Sequence, residues 1–248
     1  MNNRDILILG AIILVGAIAV ELYTMYSNPF IGYAPGSFSS LLMDTPQRFG
    51  YYKDGALIGN YTYTLTKQTS GSQTLYTLDT NIDATYQGAR LNLKTIHMFL
   101  GETSHVGYTV DTDLAGSRSN VKCIFLSSTV GILTTSQGRN LNTTLMLPSN
   151  TVLIDNNDPA HWELLMKSFK AEPGKRYNVN ALVPQGAVVR VLEFGVDTAH
   201  QFVSIGTRSY ECVVAREPNY EITLYFYQGN LIQYKNDADG ILIVKQMS

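Results

Sequence analysis

The sequence predicts a mainly β protein: one N-terminal transmembrane helix followed by a large curved antiparallel sheet wrapped around one amphipathic helix. Three observations predict it. Short runs with apolar and polar residues in strict alternation recur along most of the chain, the period of half-buried strands. Asp54-Gly55, Gln228-Gly229-Asn230 and Asp239-Gly240 between such runs supply the positive φ angles of tight hairpins, so neighbouring strands pair antiparallel without crossovers. Only one segment after the opening, "NNDPAHWELLMKSFKAEPG", carries helical spacing.

The opening residues 1–26 read as a transmembrane anchor or an uncleaved signal. From Ile6 to Val20 there is no charge, and about 20 helical residues span a bilayer's hydrocarbon core. Ala17-Ile18-Ala19 supplies a signal-peptidase-like site, so cleavage is the competing reading. The apolar run continues past that site to Tyr23, Tyr26 and Phe30, placed where interfacial aromatics anchor a spanning helix. Arg4 and the terminal amine are the only positive charges before Arg48, so the positive-inside rule places the N-terminus in the cytoplasm. The expectation is a single-pass cell-membrane protein, attached through residues 6–26, with its C-terminal domain outside the cell. Residues 27–48 contain three prolines and no period, the composition of a linker or stalk. Residues 49–248 form the extracytoplasmic domain.

Within that domain, "NYTYTLTK" places Tyr61, Tyr63 and Leu65 on one face and Thr62, Thr64 and Thr66 on the other. Similar runs follow at "TLYTLDTNI", "ARLNLKTIHMF", "HVGYTVDTDL", "NVKCIFLSS", "KRYNVNALVP", "AVVRVLEFGV", "YEITLYFY" and "GILIVKQ". In the helical segment Asp158 is a good N-cap and Pro159 suits the first turn. Trp162, Leu165, Met166 and Phe169 form the apolar stripe, and Pro173-Gly174 stops the helix. Such a stripe needs cover, and the concave face of the sheet provides it. The four stripe residues are either core or the lining of a ligand cavity.

With a net charge of −2 and 15% charged residues, Lys and Arg are scattered singly, and no nucleic-acid footprint is visible. His97, His105, His161 and His200 are isolated in sequence, so no metal or cofactor is nominated. The "DNND" and "DAD" runs read as capping and turn chemistry, and Asp111 and Asp113 as a solvated strand face. No nucleophile elbow or phosphate loop occurs, so no catalytic residue is nominated and the protein reads as a non-enzyme. Cys123 and Cys212, both in strand-like runs, are a disulfide candidate or two separate buried thiols. Asn60 and Asn142 head N-x-Thr sequons and are glycosylation candidates.

The order "YYKDGALIGNYTYTL", "NDPAHWELLMKSF", "PGKRYNVNALVP", "VSIGTRSYECVVA", "ITLYFYQGNLIQYK" and "GILIVKQ" resembles the extracytoplasmic β half-barrel proteins of the LolA/LolB-like lipoprotein-carrier superfamily, in an uncharacterised branch. The resemblance implies a half-barrel of about ten or eleven strands around a helix, with a hollow that accepts acyl chains in the carriers. The functional expectation is a membrane-anchored, non-enzymatic module binding a lipid or acyl chain in that hollow. The alternative is a structural or accessory subunit of a membrane or cell-envelope protein complex.

Overall fold

The computed structural model describes residues 30–32, 44–101, 104–169 and 172–246. After β1 (Phe30–Gly32), a meander of antiparallel hairpins runs through β2 (Gln47–Lys53), β3 (Ala56–Ser70), β4 (Gln73–Tyr86), β5 (Ala89–Leu100), β6 (Ser104–Leu114), β7 (Ser117–Leu126), β8 (Thr129–Ser136) and β9 (Arg139–Met146). A short β10 (Val152–Leu153) leads into the helix α1 (Pro159–Phe169). A second meander follows in β11 (Arg176–Val183), β12 (Val188–Val196), β13 (Gln201–Ile205), β14 (Arg208–Glu217), β15 (Ile222–Tyr227), β16 (Asn230–Asn236) and β17 (Ile241–Lys245). All seventeen strands belong to one sheet, because β17 pairs antiparallel with β2 and so joins the two meanders at its centre.

Local chemistry accounts for the meander. Tyr61, Tyr63 and Leu65 are buried on the inner face of β3, as alternation predicts. At the β2–β3 turn Asp54 and Gly55 take φ of 50° and 82°, and Gln228 and Gly229 take 50° and 76° at the β15–β16 turn, the geometry that matches strand twist. Part of the predicted linker 27–48 is sheet, since Phe30–Gly32 pairs in parallel with β11.

The sheet is open, with β9 at one edge and β1 and β10 at the other. It nonetheless curls strongly. Gln185, just after β11, donates to the Tyr108 hydroxyl on β6 at 3.0 Å, although the two strands stand near opposite ends of the strand order. The connection from β9 to β10 bridges the gap between the edges. Its Leu147 amide bonds to the carbonyl of Ser128 at 2.7 Å, and the amide of Ile154, just after β10, to the carbonyl of Leu182 at 3.0 Å.

Two expectations need correction. The first is the absence of crossovers: β10 and β11 flank α1 and pair in parallel, because the helix carries the chain back to the same edge in the same direction. The second is the transmembrane helix. Among the described residues no helix is long and apolar enough to cross a membrane. The helix α1 has eleven residues, about 16 Å of rise, roughly half a bilayer's hydrocarbon thickness. Residues 1–26, on which the anchor was predicted, lie outside the described residues. The fold class is corrected to a mostly β structure with one short helix and an open sheet. The membrane attachment through 6–26, the single-pass topology and the placement of the domain outside a cell lose their structural support with it.

Candidate functional site

Three histidines that are distant in sequence meet at one end of the curl. His97 comes from the inner face of β5, His105 from the start of β6 and His161 from the first turn of α1. His161 Nε2 lies 3.1 Å from His97 Nδ1, and His97 Nε2 lies 2.9 Å from His105 Nδ1. The ends of this row are backbone. His105 Nε2 is 3.1 Å from the carbonyl oxygen of Thr151, and the Asp155 amide lies a longer 3.4 Å from His161 Nδ1. A carbonyl can only accept and an amide N–H can only donate, so the direction of every bond is fixed. Asp155 N–H donates to His161, His161 to His97, His97 to His105, and His105 to Thr151. Each imidazole is thus neutral, with its hydrogen on Nε2.

Burial enforces the same state. Desolvation, with like-charge repulsion from the other two rings, holds His97 well below the usual imidazole range. Burial pushes His105 and His161 down to about 4, opposed at His105 by its bond to Thr151 and at His161 by the nearby Asp155. His97 and His161 are 3% and 2% exposed, which leaves water little access to either charge.

Below the relay the start of α1 is tied to the sheet by tyrosine hydroxyls. Tyr61 donates to Asp158 at 2.6 Å, Tyr63 to Glu163 at 2.6 Å and Tyr108 to Asp155 at 2.7 Å. Thr80 donates to the second Asp158 oxygen at 2.8 Å, and Asp158 also accepts from the Ala160 amide at 3.1 Å, the N-cap bond expected from sequence. Glu163 further accepts from the Leu231 amide at 3.1 Å and pairs with Lys167 at 3.2 Å. Burial raises the pKa of both Asp155 and Asp158, an effect their hydroxyl and amide donors partly offset. The helix is therefore buried on its polar side as well as along its apolar stripe.

The relay borders a cavity of about 520 Å³ between α1, the β9–β10 connection and the ends of β5 to β8. Its walls combine apolar groups such as Phe99, Phe125, Leu147 and Leu164 with the hydroxyl-bearing residues Ser104 and Ser128. Among the described residues that line it, none is Asp, Glu, Lys or Arg. Two residues at its rim, Ser127 and Asn150, hold positive φ angles of 47° and 58°. Ser127 stands at the first position of its two-residue turn, where Gln87, Ala115 and Gln137 take φ of 50°, 51° and 49° in the other hairpins.

Of the three predicted lining residues whose side chains are described, Trp162 and Met166 are packed into the main core and Leu165 borders the cavity. Phe169 ends α1, and its side chain lies outside the described residues. The expected membrane-anchored module is corrected in its anchor, since among the described residues no helix is long and apolar enough to cross a membrane; a second hollow of about 480 Å³, walled by Ile82, Leu93, Val110 and Val121, lies on the inner face of the sheet. Cys123 and Cys212 are both buried free thiols, in separate hydrophobic clusters. Asn60 and Asn142 are exposed on β3 and β9. Among the described residues no group of three or more His, Cys, Asp or Glu is arranged to hold a metal ion; the imidazole nitrogens face one another instead.

Sequence reasoning left the histidines isolated, although one signal was present. His97 shares parity with Leu91, Leu93, Thr95 and Phe99, so it belongs to the inward row of β5. His105 had no such signal. Its parity opposes that of the inward Tyr108 and Val110, and a bulge that pairs Met98 with Gly107 but Phe99 with His105 turns it inward.

The sequence matches no protein-family model and no curated protein. Among solved structures the chain is similar to a β-barrel-like protein of a domain of unknown function, DUF1849, from Brucella abortus, with a TM-score of 0.46 and 12% identity, over 82% of this chain and 95% of that one. Membership of the LolA/LolB-like group is not shown by this likeness.

Proposed function

We propose that the protein is a binding module that takes an uncharged small molecule, with an apolar body and a hydrogen-bonding group, into the cavity beside the histidine relay. The observation that carries this reading is a cavity of about 520 Å³ bordered by three neutral imidazoles, with no formal charge among its described lining residues. That volume is within the range of small-molecule sites, roughly 300–1,000 Å³. A charged ligand would lose hydration there with no counter-charge among the described lining residues, whereas apolar walls and serine hydroxyls suit a neutral one. Binding is favoured over catalysis because every relay nitrogen is engaged with another relay member or with backbone. No lone pair then faces the cavity as a general base. The LolA/LolB-like resemblance is kept as a proposal about architecture, and no carrier activity is drawn from it.

Indole is a suitable probe, being neutral, flat and equipped with one N–H donor. It should bind with a dissociation constant of about 1 mM or tighter, from the free energy small ligands gain per atom. Leu164→Trp, which fills the cavity from α1, should abolish binding, and indole-3-acetate should bind at least about tenfold more weakly. Unchanged indole affinity in a folded Leu164→Trp variant would overturn the reading, as would equal affinity for the charged analogue.

A further inference from the structure

The relay starts and finishes on the same short stretch of backbone, Asp155 and Thr151, either side of β10. Between those ends it passes through β6, β5 and α1, so it encircles the cavity wall as a staple would. Its hydrogen count is full. There are four junctions, each needs one hydrogen, and the Asp155 amide with the three imidazoles supplies one for each. A further proton has no junction to occupy. Wherever it enters, two N–H groups come to face each other and one bond of the ring must open.

We propose that the histidine relay is a proton-operated staple, which holds the cavity wall 151–155 when neutral and lets go of it when one proton enters. The weakest junction is the 3.4 Å bond from the Asp155 amide to His161 Nδ1. Asp158 Oδ2 stands only 3.9 Å from that same nitrogen, ready to accept a new Nδ1–H. A proton on His161 therefore exchanges a backbone partner for a carboxylate and frees the Asp155 amide. Other titratable groups also face the relay, and burial raises the pKa of two of them, Asp155 and Asp158. Asp155 and Asp158 face it from the start of α1, while Tyr61 on β3, Tyr108 on β6 and Cys123 on β7 have their ionisation pushed upward by burial and stay neutral. From β16, Tyr234 bonds the carbonyl of Asn156 at 2.6 Å and holds the far end of the wall still. The acid range is set by His105 and His161, each held down to about 4.

The staple rests on the proposed binding reading only for its consequence, an opened cavity. Its test needs no ligand. At pH 7, long-range nitrogen–proton NMR of the whole chain should find His97, His105 and His161 neutral with hydrogen on Nε2. Between pH 7 and pH 4, amide exchange in residues 148–158, corrected for intrinsic rates, should rise about tenfold more than in residues 222–236 of β15 and β16. His105→Gln, which can accept through Oε1 and donate through Nε2 but takes up no proton, should reduce that rise. A charged or Nδ1-protonated ring at pH 7, or equal acid exchange in the two segments, would overturn the staple. If exchange stays flat while indole still binds, the staple fails and the binding reading survives. If the wall opens with acid but indole never binds, the reverse holds.

Discussion

Replacing His97 by Leu removes the middle of the relay and tests it directly. The substitution leaves His161 Nε2–H without an acceptor and His105 Nδ1 without a donor, both in largely dry surroundings. A buried polar group left unpaired costs about 1–3 kcal/mol. His105 is less buried than the other two rings and recovers part of its share by hydration, so a loss of about 2–4 kcal/mol at pH 7.5 is expected. The loss should shrink in acid. The folded protein refuses the proton that an unfolded His97 accepts near pH 6.5, so wild-type stability is fully present above that pH and falls below it. The fall for one such histidine is about 1.4 kcal/mol per pH unit, and the variant lacks it. The two proteins should therefore be about 2 kcal/mol closer at pH 5 than at pH 7.5. Urea unfolding followed by the single tryptophan, Trp162, measures both differences, since it is buried in the native core. A variant within about 0.5 kcal/mol of wild type at pH 7.5, or one whose deficit does not change with pH, would refute the assigned relay.

Further predictions address the surroundings of the relay. Asp158→Ala loses the helix N-cap and leaves the hydroxyl hydrogens of Tyr61 and Thr80 without their acceptor, while Tyr61 still accepts from the Ala160 amide, at a cost of about 3 kcal/mol or more. Asp158→Asn keeps an acceptor and should cost less; thermal unfolding of both ranks them, and equal melting points would remove Asp158 from the docking of α1. Thr95 on β5 buries a hydroxyl oxygen with no partner among the described residues. Thr95→Val should then stabilise by about 1 kcal/mol in urea titration, and a loss would reveal a bond to its hydroxyl. Cys123 and Cys212, with thiol ionisation pushed upward by burial, to about 12 for Cys123, should resist thiol reagents in the native state. In urea without reductant both should react; a protein with no titratable thiol there would carry the disulfide considered from the sequence.

The legible part of this protein was its local structure. Alternation places Tyr61, Tyr63 and Leu65 inward, and the Asp158–Pro159 start of the helix is where capping chemistry puts it. Tertiary chemistry was less accessible. That Tyr61, Tyr63 and Tyr108 aim their hydroxyls at carboxylates of the helix segment depends on curvature, which alternation does not encode. The inward turn of His105 depends on a single bulged residue, which a strict period of two places on the wrong face. The parallel pairing of β10 was illegible because a two-residue strand has no period to read. The anchor was inferred from apolar length, flanking aromatics and the charge of Arg4 in residues 1–26, which lie outside the described residues, and the eleven-residue helix that is described spends its length inside the sheet.

The pairing of β17 with β2 bears on how the chain matures during synthesis. On the ribosome the first meander can assemble early, since each hairpin needs only its immediate neighbour. Its β2 side stays uncovered until Ile241–Lys245 has emerged, nearly two hundred residues later. For that interval the nascent protein exposes a seven-residue strand with free amides and carbonyls, a template for pairing with a neighbouring chain. Crowded translation is therefore the condition under which this protein is most vulnerable, and slowing initiation should raise its yield.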